Sequence, residues 1–255
     1  MMTRTERQKR IAEELIARAE SIRRQPRKPV EYAKDENSDR LINDLENYPS
    51  AFFIGVLVDR QIKSERAWRI PLEILHYFRT LDPHKLSQVD PVEISALFKR
   101  RQLHRFNDEM SRIVVEAMCV LVKDYDGNAA NIWNGNPSSA LVIYRFLQFR
   151  GVGQKLATMA ANLLARDFKV PFSDYYSIDI SLDVHVKKVF TRLGLVDEKA
   201  SPEQLIFCAR SMSPEYPGLL DYGAFRIGRD FCKPTNPDCS NCYLRSLCEH
   251  ASRVD

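Results

Sequence analysis

The chain has 255 residues, 44% apolar and 28% charged, with a formal net charge of +4. That suits one large globular domain or two small ones, and permits nucleic acid as a partner without establishing it. The charged start MMTRTERQKR has no apolar h-region, and no apolar run is long enough to span a membrane. A secreted or membrane-spanning protein is therefore not expected; a cytoplasmic, nucleoid-associated setting with reduced thiols is.

Residues 3–24 carry Ile11, Leu15, Ala19 and Ile22 at helical spacing among charges, which predicts a helix ended by Pro26 and Pro29. A polar linker over 25–38 and a short helix from Asp39 to about Asn47 follow. The run AFFIGVLV in 50–62 suits a buried strand or a buried helix taken alone, and the helix-rich surroundings favour helix. Helices are then predicted over Ser64–Arg79, Pro91–Arg101, Asp108–Lys123 and Ser138–Phe149. Ile113, Val114, Ala117, Met118 and Leu121 form one apolar stripe, and Cys119 beside it reads as a core thiol.

After Gly151-Val152-Gly153 comes a strongly periodic helix. Leu156, Met159, Ala160, Leu163 and Leu164 mark its buried face, with Lys155, Thr158 and Asn162 on another. The segment 168–180 is aromatic and irregular; Phe168, Phe172, Tyr175 and Tyr176 read either as packing or as surfaces on which a base stacks. Val186, Val189, Phe190 and Leu193 predict a helix closed by Gly194, and two more follow over Pro202–Met212 and Leu219–Arg229. The fold class is all-α. Basic clusters at Arg23–Lys28 and Lys99–Arg101 read as partner-binding patches or as solvated faces.

Four of the six cysteines fall within seventeen residues as Cys232, Cys239, Cys242 and Cys248, spaced C-x6-C-x2-C-x5-C. In a reducing compartment this is a metal site rather than a disulfide framework. On chemistry alone, close-set soft thiolates serve zinc or an iron–sulfur cluster. A single C-x2-C lacks the paired knuckles of a zinc ribbon, and four thiolates in one compact loop suit a [4Fe–4S] cluster.

The glycines of Gly151-Val152-Gly153 permit a tight turn and a close backbone approach, and the free N–H groups opening the next helix suit a phosphate. Lys155 stands in that first turn, where the helix macrodipole opposes a cation. Two readings follow: a phosphate contact, or a nucleophilic amine. Asp183 precedes an amphipathic helix and reads as an N-cap, as a catalytic carboxylate, or as both; Asp179 is its rival.

Two stretches, LLDYGAFRIGRDFCKPTNPDCSNCYLRSLC and FRGVGQKLATMAANLLA, resemble the C-terminal segment and the helix-hairpin-helix of one family. It is the endonuclease III and adenine-glycosylase branch of the helix-hairpin-helix (HhH-GPD) base-excision repair superfamily. The resemblance covers about 40–248 and implies a two-lobed, all-α glycosylase fold. A six-helix barrel would occupy 40–166; the second lobe, 1–39 and 167–255, would carry a C-terminal [4Fe–4S] loop, and DNA would lie between the lobes. It implies that Cys232, Cys239, Cys242 and Cys248 hold the cluster mainly as a scaffold, with Arg226, Arg229, Lys233 and Arg245 near the DNA backbone.

The resemblance also implies that Lys155 attacks the sugar C1′ of a damaged nucleotide and that Asp183, in IDISLDVHVKKVF, assists. In GVLVDRQIKSE it makes Gln61 the residue that fills the gap left by a flipped base; in RRQLHRFND, Leu103 and then His104 match a second wedge. Gly151, Gly153 and Arg150 fall at the phosphate-binding turn. The sequence departs from the family pattern with Phe149-Arg150 where Leu-Pro is common, and with a longer link to Asp183. The expected protein is a monomeric glycosylase with β-lyase (AP lyase) activity on double-stranded DNA bearing a damaged base or abasic site. A monofunctional glycosylase using water activated by Asp183, and a non-catalytic iron–sulfur DNA-binding protein, are the alternatives.

Overall fold

A computed structural model describes residues 3–254. Among these residues there are helices and no strands. In chain order they are α1 (Arg4–Arg24), α2 (Glu36–Asn43), α3 (Pro49–Val58), α4 (Ser64–Ala67), α5 (Ile70–Phe78), α6 (Pro83–Leu86) and α7 (Pro91–Arg101). Then come α8 (Asn107–Asp124), α9 (Ser139–Leu147), α10 (Gln154–Arg166), α11 (Val184–Arg192), α12 (Pro202–Met212), α13 (Leu219–Asp230) and α14 (Ala251–Val254). None is long and apolar enough to cross a membrane.

The chain divides into two compact units: Met1–Pro26 with Ser138–Ile143 and Ala161–Asp255, and Arg27–Pro137 with Tyr144–Ala160. In the first unit, α1 opens with a reciprocal capping box in which the Glu6 N–H donates to Thr3 Oγ1 at 3.2 Å and the Thr3 N–H to Glu6 Oε2 at 2.8 Å. Its apolar face packs on α13. Gly223 allows that approach: a Cβ there would stand 2.9 Å from both Cδ2 and the carbonyl oxygen of Leu15. Ile11 and Leu15 join Val189, Phe190, Leu205, Leu220 and Leu244 in one apolar core.

In the second unit α3 is the centre. Every residue from Ser50 to Val58 is buried, so its helix has no polar face and its sequence shows no stripe. The AFFIGVLV run is helical, as its surroundings required. The expected single helix over 64–79 is two, α4 and α5, with a break at Trp68 and Arg69. Pro71 causes it, because proline has no N–H to continue the ladder and is accommodated in a helix's first turn. α6 has too few residues to show a period; Asp82 caps it, accepting from the His84 N–H at 2.9 Å. α2 starts at Glu36, earlier than expected, because Asp35 caps it. Asp39 is instead buried inside α2 and accepts from the Ala33 N–H at 2.8 Å.

Two face assignments are corrected. The α8 stripe is buried as expected, but Cys119 is exposed and no core thiol. On α10, Thr158 and Asn162 are buried while Lys155 is exposed. Thr158 is satisfied within its own helix and Asn162 by partners from elsewhere in the chain. Thr158 donates back to the Gln154 carbonyl at 2.8 Å. Asn162 donates to the Gly218 carbonyl at 2.9 Å and accepts from the Tyr216 hydroxyl at 2.8 Å. Of the 168–180 aromatics, Phe168 and Phe172 are buried, Tyr175 stacks on Tyr216 with centroids 4.9 Å apart, and Tyr176 is exposed.

Candidate functional site

The turn between α9 and α10 is tight. The Val152 N–H donates to the Phe149 carbonyl at 3.1 Å, and Gly151 has φ +85°. A Cβ at Gly151 would fall 2.9 Å from Arg60 Nη1 and 3.2 Å from Ile113 Cδ1, whereas one at Gly153 would meet open space. Gly153, Gln154 and Lys155 are exposed, so the opening of α10 and its lysine face solvent. Arg150 is also exposed and pairs with both oxygens of Glu116 at 2.9 and 3.0 Å. Gly151→Ala forces a left-handed alanine against Arg60. The expected cost is about 1–3 kcal/mol, or a melting temperature roughly 3–8 °C lower, read by thermal unfolding.

The loop after α3 is fastened to this turn. Arg60 donates to the Gly151 carbonyl at 3.5 Å and to Glu109 at 3.0 Å. The Arg60 carbonyl accepts from His104 Nε2 at 3.0 Å, while His104 Nδ1 accepts from the Phe106 N–H at 3.0 Å. A backbone N–H can only donate, so Nδ1 is bare and the proton sits on Nε2. Burial holds the His104 pKa below the ordinary range, consistent with that neutral ring. Gln61 follows, exposed, with φ +56°. Leu103 and His104 are buried, 7% and 2% exposed, and His104 supports this loop through the Arg60 carbonyl.

Asp59 is a carboxylate that sequence reasoning passed over. Its Oδ2 accepts from Ser64 Oγ at 2.9 Å and Trp68 Nε1 at 3.2 Å. Burial raises its pKa, and the Lys155 charge opposes that rise. Two residues before Gln61, it has nothing local to distinguish it from an ordinary residue closing a helix.

In the other unit Asp183 caps α11: its Oδ1 accepts from the N–H groups of His185 at 2.7 Å and Val186 at 3.1 Å. It is half-buried. Its rival Asp179 is buried and spent on Arg210, at 2.8 and 3.0 Å. A second overlooked carboxylate, Asp221 on α13, accepts from both the N–H and the hydroxyl of Ser181 at 2.7 Å. Its recessed position pushes its pKa up to about 6.

Cys232, Cys239, Cys242 and Cys248 line one pocket together with Val189 and Ile227. Arg192 supports it from α11, donating to Cys232 Sγ at 3.3 Å and to the Lys233 carbonyl at 2.7 Å. Arg7 reaches the same region from α1, donating to the Leu193 and Leu247 carbonyls at 2.9 and 3.1 Å. Among the described residues no group of three His, Cys, Asp or Glu side chains is arranged to hold a single metal ion. Of the nearby cations, Lys233 and Arg245 are exposed and Arg226 pairs with Asp230 at 2.8 Å.

Residues 54–213 match the family model described as HhH-GPD superfamily base excision DNA repair protein. The chain belongs to that superfamily. The HhH-GPD match takes in Gln61, the α9–α10 turn, Lys155 and Asp183, and stops short of the cysteines. Endonuclease III of Thermotoga maritima is 27% identical over 212 residues, covering 83% of this chain and 87% of that one. Among solved structures, a trapped endonuclease III–DNA covalent intermediate aligns with a TM-score of 0.59 at 19% identity, covering 85% of this chain and 94% of that one. A thermostable thymine-DNA glycosylase aligns with a TM-score of 0.61 at 14% identity, covering 98% of each chain. At these identities the likeness is one of fold, and the all-helical architecture agrees with it.

Proposed function

We propose that this HhH-GPD chain is a DNA glycosylase with β-lyase activity, working on duplex DNA that carries a damaged base or an abasic site. One observation carries the reading: Lys155 is exposed in the first turn of α10, directly after the Gly151-Val152-Gly153 turn. In the proposed reaction the unprotonated Nζ attacks C1′ and the base leaves with the bonding electron pair. Ring opening gives a Schiff base; loss of a C2′ proton then expels the 3′ phosphate and nicks the strand. Asp183 supplies negative charge for the oxocarbenium-like sugar and assists the proton transfers.

Backbone groups at Gly151 and Gly153, with Arg150, would hold the phosphate, and Gln61 would fill the gap left by the flipped nucleotide. His104 would serve by holding the Gln61 loop through the Arg60 carbonyl. The sequence likeness to the Thermotoga maritima endonuclease III supports the same class of chemistry here. The proposed working form is a monomer in the cytoplasm, associated with the nucleoid. The barrel is assigned to 40–166 and the second lobe to 1–39 and 167–255.

The cysteine quartet fits a [4Fe–4S] cluster by its chemistry: the donors are four soft thiolates and they line one pocket. When bound, such a cluster ties the 232–248 loop together and holds Lys233 and Arg245 toward the DNA backbone.

The test is a panel of duplexes, each with one oxidised pyrimidine, oxidised purine, deaminated base or abasic site, incubated with borohydride. A covalent adduct is expected, foremost with oxidised pyrimidines and abasic sites. Base release without an adduct would instead mark a monofunctional glycosylase, and binding without release a non-catalytic protein.

A further inference from the structure

α13 grips the segment carrying Asp183 on both sides. On the upstream side Asp221 Oδ1 accepts two hydrogen bonds from Ser181, two residues before Asp183. On the downstream side the Gly228 carbonyl accepts from His185 Nδ1 at 3.1 Å and from Lys188 Nζ at 3.2 Å. Gly228 permits that closeness, since a Cβ there would lie 2.7 Å from the His185 Cβ. α11 and α13 pack against each other, so these contacts belong to one helix pair.

We propose that Asp221 is a positioning residue for the glycosylase reaction, its ionised carboxylate fixing Ser181 and thereby the orientation of Asp183. This rests on the assignment of Asp183 made above. The downstream grip uses a backbone carbonyl and needs no particular side chain. The upstream grip uses a carboxylate, and a recessed carboxylate is a costly way to hold one serine. An asparagine oxygen also accepts from Ser181, but without the charge each bond is weaker, so it holds the serine less firmly. Keeping the charge makes physical sense where it acts on its neighbours. The charged groups facing Asp221 are Arg166 from α10 and Asp183 from the cap of α11, while from α1 the apolar Leu15 packs beside it at Gly223.

The sign of the linkage separates a positioning role from a stabilising one. The Asp221 pKa is raised, so the folded state favours the protonated form, and its contribution to stability is lost as pH rises from the ordinary aspartate range through about 6. At pH 7.5 Asp221→Asn is therefore expected to melt no lower than wild type. Its single-turnover base excision is expected to fall at least tenfold, and the limb of the pH–rate profile that rises near pH 6 to disappear. Ser181→Ala keeps the carboxylate, removes one of the two hydrogen bonds and is expected to fall between.

Asp183→Asn is assayed in parallel. If Asp183→Asn is inactive while Asp221→Asn keeps the wild-type rate and profile, the positioning role is wrong and the assignment of Asp183 stands. If Asp183→Asn is itself fully active, that assignment fails and the role of Asp221 fails with it. A lower melting temperature in Asp221→Asn with an unchanged pH profile would also overturn the proposal, leaving a structural carboxylate.

Discussion

Lys155→Ala is expected to abolish borohydride-trapped adducts and to slow single-turnover strand cleavage by about 10⁴-fold, or roughly 5 kcal/mol of barrier. The size follows from the role. In the proposed mechanism the amine forms the only covalent bond between protein and sugar, and alanine offers no substitute nucleophile. The substitution is otherwise mild. Lys155 is exposed at the start of α10, so its truncation is expected to change stability by no more than about 0.5 kcal/mol. Binding of a lesion duplex is expected to persist, since the turn glycines and Arg150 remain. Cleavage in the variant within tenfold of wild type would remove Lys155 as the nucleophile and turn attention to its phosphate-contact reading.

Cys242→Ala is expected to lose iron and to lower the melting temperature of the protein by more than about 10 °C. A structural metal group contributes on the order of 10 kcal/mol to a small domain, and losing one of four ligands forfeits much of that. The loop is part of the unit it closes: Leu244 and Leu247 belong to the same apolar core as Ile11, Val189 and Ile227, and Cys232, Cys242 and Cys248 pack against it. Loosening the loop therefore strips apolar cover from α1, α11 and α13 together. Anaerobically purified wild type is expected to contain about four iron and four sulfide per chain. A colourless wild type loaded with one zinc would sink the cluster assignment, and a Cys242→Ala protein that melts with wild type would sink its structural role.

Much of this was legible in single helices. Apolar spacing located α1, α8, α10, α11 and α13; proline, glycine and capping residues marked their ends; and four close-set cysteines stood out by their spacing. These signals are local, carried by residues a few positions apart. Pro71 was equally local, and the break it makes between α4 and α5 could have been read from the absent N–H. α6 could not, because four residues complete about one turn and show no period.

What only the tertiary structure decided is which polar residues are buried and against what. Thr158 and Asn162 look solvent-facing on a helical wheel, yet both are buried: Thr158 turns its hydroxyl back to the Gln154 carbonyl of its own helix, and Asn162 finds Gly218 and Tyr216 from distant chain. Cys119 looks like core, yet it stays exposed, its thiol reaching the Ser87 carbonyl at the end of α6. Asp59 and Asp221 are ordinary aspartates in sequence; burial raises both pKa values, beside the nearby Ser64 and Trp68 for Asp59 and beside the distant Ser181 for Asp221. The sequence by itself determined the helices, the glycine turn with its lysine, and the cysteine quartet, because each is set by short-range geometry. Packing alone decided the electrostatic surroundings of Lys155 and Asp183, because burial depends on residues brought together from far apart in the chain.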